Sequence, residues 1–138
     1  MEEAELTRIF TEEGIAVPCI KESDPYGRFM LKEKLAGESL AQLYRSLGSP
    51  ENPVHRRVRS AVEAFIRRLL NLFDQYPQTK TSLSPNNIFV LSSDSQCECL
   101  LVDTGPAPFH NYSGFDFPEY WEKTIPQKII QYEEIGYL

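Results

Sequence analysis

Ser82 offers a hydroxyl, Asn87 a carboxamide, Asp103 a carboxylate and His110 an imidazole, and each is a group that reactive sites employ. A serine hydroxyl becomes a nucleophile only beside a base, and no histidine lies near Ser82 in sequence, although His110 could approach it in space. The pair Asn86-Asn87 follows Pro85, and Asp103-Thr104-Gly105-Pro106 follows an apolar run. Both are also good turn sequences, because Asn and Asp side chains bond their own backbone. Cys19, Cys97 and Cys99 are an odd number with no C-x-x-C pair and no histidine at metal spacing, which points away from a disulfide framework and a zinc site.

These groups must be positioned by elements that the pattern of apolar residues predicts. Leu6, Ile9 and Phe10 fall at helical spacing within residues 2 to 13, and Gly14 supplies a left-handed stop. Ile15 to Ser23 and Arg28 to Leu35 read as extended segments joined by the turn Asp24-Pro25-Tyr26-Gly27, hence a β-hairpin. Leu40, Leu43, Tyr44 and Leu47 form a helical stripe that ends at Gly48. A longer helix begins with Asn52 as N-cap and Pro53 at its first position, and places Val58, Val62, Phe65, Leu69, Leu72 and Tyr76 on one face. His55, Arg56, Arg57, Arg59, Arg67 and Arg68 cover its other faces, either as a solvated basic surface or as a dock for an acidic partner.

Ile88 to Leu91 and Cys97 to Val102 read as two short strands, with Cys97, Cys99 and Leu101 on one face and both cysteines as small buried side chains. Residues 105 to 117 read as an irregular loop with aromatic anchors. Pro118 opens a last helix, which Pro126 kinks or breaks near Thr124 or Ile125.

With 138 residues, 41% apolar and 25% charged, the chain has the composition of one globular domain with a single core. Its formal charge of −6 gives no general attraction to nucleic acid or to an anionic membrane. The acidic start Met1-Glu2-Glu3-Ala4-Glu5 differs from a signal peptide, and no apolar run approaches the roughly 20 residues of a membrane helix. A cytoplasmic protein is the expectation.

The run Lys80-Thr81-Ser82-Leu83-Ser84-Pro85-Asn86-Asn87-Ile88-Phe89-Val90, followed by Leu101-Val102-Asp103-Thr104-Gly105, resembles the catalytic loop and the metal-binding Asp-x-Gly of a protein-kinase-like fold. Upstream, Leu31-Lys32-Glu33-Lys34-Leu35-Ala36-Gly37-Glu38-Ser39-Leu40 is similar to the hinge strand, linker and first helix of the large lobe. The combination Thr79 to Ile88, with a serine in place of the base, is similar to the small bacterial YrbL-like family, which is associated by name with the PhoP regulatory network. Trp121 is placed compatibly with that family's tryptophan-bearing helix.

The resemblance implies that Asn87 and Asp103 are Mg²⁺ ligands facing the phosphates of ATP, and that Glu33 to Leu35 offer backbone groups to the adenine, which makes Glu33 and Leu35 the cofactor-binding candidates. It also implies an α+β fold, mainly a helical large lobe with a small N-terminal helix and β-hairpin. Residues 1–138 would form one domain, with 1–36 the remnant of the small lobe and hinge and 37–138 a partial large lobe.

Three departures from the family pattern bear on activity. The catalytic aspartate falls at Ser82, and a serine is no carboxylate base at neutral pH. No Gly-rich phosphate loop or strand lysine precedes the first helix, and the chain stops soon after the Asp-x-Gly loop. The expectation is therefore a degenerate, non-catalytic domain in a regulatory role, with Ser82 lining the vacant substrate position, that binds a nucleotide with Mg²⁺ or a protein partner. A second reading is an active phosphotransferase that manages without the usual base. A third is a nucleotide-independent interaction module whose surface is Phe109, Tyr112, Phe115, Phe117, Tyr120 and Trp121.

Overall fold

The computed structural model of the chain describes residues 3–15, 17, 20–23, 30–32, 37–92, 96–102, 107 and 110–136. Helix α1 (Glu3–Glu12) ends as its sequence predicts, at Gly14 with φ +78°. The Gly14 N–H reaches Thr11 O at 3.1 Å and the Ile15 N–H reaches Phe10 O at 2.8 Å, a Schellman motif in which Phe10 and Ile15 are both buried. Arg68 donates to Gly14 O at 2.6 Å and so ties this helix end to the long helix described below.

Strands β1 (Ile20–Ser23) and β2 (Met30–Lys32) pair antiparallel, with a register shift between Ile20 and Glu22. They fall within the two extended segments expected from the sequence, whose remaining parts lie largely outside the described residues, as does the turn at residues 24–27. Strand β3 (Glu38–Ser39) was not expected: it pairs with a later strand through Glu38↔Val90 and Ser39↔Phe89. Two residues are too few to show alternation, so only their tertiary partner reveals the strand.

Ser39 then caps α2 (Leu40–Ser46) through a capping box, its hydroxyl accepting the Gln42 N–H while Gln42 accepts the Ser39 N–H. Helix α3 (Pro53–Gln75) starts as predicted, with Asn52 Oδ1 accepting the Val54 N–H at 2.9 Å. Val58, Val62, Phe65, Leu69 and Leu72 are buried on its inner face, and Ile66 and Phe73 join them. Tyr76 belongs outside the helix and is 39% exposed, because Pro77 disfavours helical geometry at the residue before it.

Two residues assigned to the outer faces of α3 prove to be tethered. His55 is only 6% exposed, and Arg59 lies 3.9 Å from Glu122 with its guanidinium 5.9 Å from the Phe117 ring centroid. A short 3₁₀ turn (Pro77–Thr79) leads into an extended loop, then β4 (Ile88–Ser92) and β5 (Cys97–Leu101) close an antiparallel sheet of order β3-β4-β5. The sheet packs through β5 on α3, with Ile88, Val90 and Leu101 in the core. Of the two cysteines expected to be buried there, Cys99 is buried and Cys97 is half-buried.

The last helix is interrupted as its proline dictates. Asp116 caps α4 (Phe117–Glu119), Tyr120–Thr124 widen into a π-type turn in which the Ile125 N–H reaches Tyr120 O, and α5 (Ile125–Glu134) resumes with Pro126 in its first turn. Proline lacks an N–H and crowds the carbonyl four residues back, and the wider turn relieves that crowding. The chain is thus a mixed α+β fold, and no helix among the described residues is long and apolar enough to cross a membrane.

Candidate functional site

The loop from Lys80 to Asn87 has almost no regular structure, yet its backbone carbonyls are engaged from Lys80 to Pro85. Each successive carbonyl from Lys80 to Pro85 accepts a hydrogen bond: Lys80 from the Ala107 N–H at 2.9 Å, Thr81 from the Tyr112 hydroxyl at 2.8 Å, Ser82 from the Asn87 amide at 2.7 Å. Leu83 O accepts from the Tyr120 hydroxyl at 2.6 Å, Ser84 O from the Asn87 N–H at 2.8 Å and Pro85 O from the Ala41 N–H at 3.2 Å. Bonds at six successive carbonyls restrain the loop, as a preorganised site requires.

Asn87 joins both ends of this arrangement. Its side chain is 8% exposed and donates through Nδ2 to Ser82 O, while its own carbonyl accepts the Val102 N–H at 2.9 Å. That bond extends the β4–β5 ladder one step beyond the Ile88↔Leu101 pair. With Nδ2 directed into the loop, Oδ1 is the atom of Asn87 with which a cation would bond, and a carboxamide oxygen is the hard donor that Mg²⁺ takes. Asp103, Glu33 and Leu35, the other ligand and cofactor-binding candidates, lie outside the described residues.

Ser82 is half-buried, and its Oγ accepts the Ser84 N–H at 3.2 Å, so the hydroxyl is folded back onto the loop in a local turn. It lines a cavity of about 430 Å³ together with Ser84, His110, Asp116, Glu119 and Lys128. His110 and Ser82, distant in sequence, therefore line one cavity.

Three tyrosines brace the loop, and sequence reasoning missed their part. Tyr112 donates to Thr81 O and accepts the Leu83 N–H at 3.2 Å, Tyr120 holds Leu83 O, and the Tyr132 hydroxyl bonds Ser84 Oγ. Burial pushes the Tyr120 hydroxyl far above its ordinary ionisation range, with the neighbouring Tyr132 and Tyr112 adding to the rise. Burial likewise raises Tyr112, against a smaller opposing effect of its bond from the Leu83 backbone. All three hydroxyls stand in aromatic or helical runs whose spacing announces packing, and nothing in that spacing announces a loop brace.

Beside the loop, Trp121 Nε1–H donates to His55 Nε2 at 3.1 Å while His55 Nδ1 lies 3.3 Å from Gly48 O, and Tyr44 donates to Trp121 O at 2.9 Å. Donation by Nδ1–H and acceptance at Nε2 describe a neutral imidazole. The placement of His55 on a solvated basic face is corrected accordingly: it is a core residue satisfied on both nitrogens.

The aromatic interaction surface is also corrected. Phe117, Tyr120 and Trp121 are buried, Tyr112 and Phe115 are partly buried against the same core, and Phe109 lies outside the described residues. No protein-family model matches the chain, and no curated protein matches it significantly.

Proposed function

We propose that the chain is a degenerate kinase-like domain, akin to the YrbL-like family, that binds a nucleotide with Mg²⁺ in a regulatory role and does not transfer its phosphate. The observation that carries this reading is the Asn87 bridge: one buried carboxamide fixes the centre of the loop through Ser82 O and the start of β4 through its backbone bond to Val102. The Val102 bond is the part that the resemblance calls for, because it assigns the metal to Asn87 at one end of the β4–β5 hairpin and to Asp103 just past the other. The donor set fits the ion, since a carboxamide oxygen and a carboxylate are both hard ligands. When bound, the ion would neutralise charge between the phosphates; the chain's own part is to hold Oδ1 of Asn87 in place.

Ser82 supports the non-catalytic half of the reading. Its hydroxyl closes a turn on Ser84 N–H, which is a positioning task, and a serine stands where the resemblance puts the catalytic carboxylate. The test is phosphate transfer from ATP by the purified chain: none to protein or small-alcohol acceptors is expected under any divalent metal.

One observation favours an active phosphotransferase as a second reading. His110 lines the same cavity as Ser82, and an imidazole there is a base that a substrate hydroxyl could use. Transfer that is present in the intact chain and lost in His110→Ala would establish it over the first.

A further inference from the structure

The cavity beside the loop carries charges for which the nucleotide reading has no use. At about 430 Å³ it lies within the roughly 300–1,000 Å³ of small-molecule sites. Leu83, Phe115 and Tyr120 give it apolar walls, with the Phe115 and Tyr120 rings 5.4 Å apart between centroids. The Tyr120 hydroxyl is engaged by Leu83 O, so ring carbon is what that residue leaves for a ligand.

Charge of both signs lines the same space. Asp116 and Glu119 stand at the start of α4, where Asp116 Oδ1 accepts the Glu119 N–H at 3.3 Å and leaves Oδ2 for another donor. Lys128 lines the cavity from α5 and is half-buried. It falls at steps of four between Thr124, also in the lining, and Tyr132, whose hydroxyl bonds Ser84 Oγ, so one row of α5 faces the loop. Among the described residues none of Asp116, Glu119 and Lys128 forms an ion pair, although all three border one cavity. An ammonium held partly out of water beside apolar walls is disfavoured until a counter-ion reaches it.

We propose that this cavity binds a small zwitterion with an apolar body, of the dipeptide class, its ammonium at Asp116 and Glu119 and its carboxylate at Lys128. Charge selects the zwitterion, because an alkylammonium would leave Lys128 unpaired and a simple carboxylate would leave both acids unpaired. Spacing selects the length. Glu119 and Lys128 are nine positions apart, which is about 13 Å of helix at roughly 1.5 Å per residue, and no ion pair closes the gap. A free α-amino acid carries both charges on one carbon and so reaches one end only. A dipeptide sets them about two residues apart, at roughly 3.3–3.6 Å per residue, with a peptide group between. Ser82 Oγ, which accepts the Ser84 N–H, keeps its own hydrogen for that peptide's carbonyl.

The test is a calorimetric titration of the full chain with L-leucyl-L-leucine. Omitting ATP and Mg²⁺ keeps its outcome separate from that of the nucleotide reading. One dipeptide per chain is expected to bind. Blocking either charge, as N-acetyl-leucyl-leucine or as leucyl-leucinamide, is expected to weaken binding about tenfold or more, the factor that one hydrogen bond to a charged group contributes. Free L-leucine is expected to bind no better than the blocked forms. Lys128→Met is expected to weaken the dipeptide by the same factor and to leave the amide's affinity unchanged, while Glu119→Gln weakens the dipeptide and leaves the N-acetyl form unchanged. Both side chains reach solvent, so both variants are expected to melt with the intact chain. No heat from the dipeptide, or equal binding of the free and blocked forms, overturns the proposal. So does a Lys128→Met chain that binds as the parent does, or that loses the dipeptide and its amide alike.

Discussion

Asn87 donates its side-chain amide to the Ser82 carbonyl at 2.7 Å, so the residue that closes the loop also fixes the residue at its centre. The bond is short and nearly excluded from water. The closure of the loop and the placing of its centre thus depend on one residue.

Replacing it separates the two. Asn87→Ala leaves the half-buried Ser82 O without its donor and removes a buried side chain, which should lower stability by about 1–3 kcal/mol. Urea unfolding followed by circular dichroism measures this, and a change within error of zero would contradict the role assigned to the amide.

Tyr120 makes an alkaline signature. Its hydroxyl is nearly excluded from solvent and donates to Leu83 O, so Tyr120→Phe should cost about 1–3 kcal/mol at neutral pH. Burial raises its folded-state ionisation above the ordinary 10.0, so the folded chain keeps a proton that the unfolded chain releases. Stability from this group is therefore fully present below about pH 10 and is lost as pH rises toward the folded-state value. Denaturant midpoints between pH 8 and 11 should fall more steeply at the alkaline end for the intact chain than for Tyr120→Phe; parallel curves would remove Tyr120 as the cause.

The His55–Trp121 pair predicts a core defect from a residue that reads as surface. His55→Ala removes the acceptor of a buried indole N–H and opens space beside it, at a cost on the order of 2 kcal/mol or more. His55→Gln, which retains an acceptor, should lose less. Thermal melts of the two variants decide, and equal losses would mean that the hydrogen bond contributes nothing beyond packing.

Gly37 stands at φ +94°, and a Cβ there would sit 2.8 Å from Val90 O and 2.7 Å from Leu91 Cδ2. Gly37→Ala should therefore destabilise the β3–β4 edge by at least about 1 kcal/mol, through both strain and clash. An alanine variant as stable as the parent would show that the backbone there relaxes.

Much of this architecture was legible in the sequence for local reasons. The Asn52-Pro53 start of α3, the Gly14 stop and the break at Pro126 are set by residues next to the features they cause. The strands β4 and β5 announced themselves by composition. What stayed hidden was tertiary. The two-residue β3 exists only because β4 lies beside it, His55 is buried only because Trp121 arrives from the far end of the chain, and the tyrosine braces are long-range hydroxyl bonds that no periodicity encodes.

The central claim rests on a calorimetric titration of the purified chain with ATP and Mg²⁺, repeated on Asp103→Ala and without metal. The account predicts binding that requires Mg²⁺ and disappears in Asp103→Ala while the variant's melting curve is unchanged. No heat of binding from the intact chain, or binding indifferent to both metal and Asp103, would contradict it and leave the Asn87–Ser82 bridge as a purely structural lock.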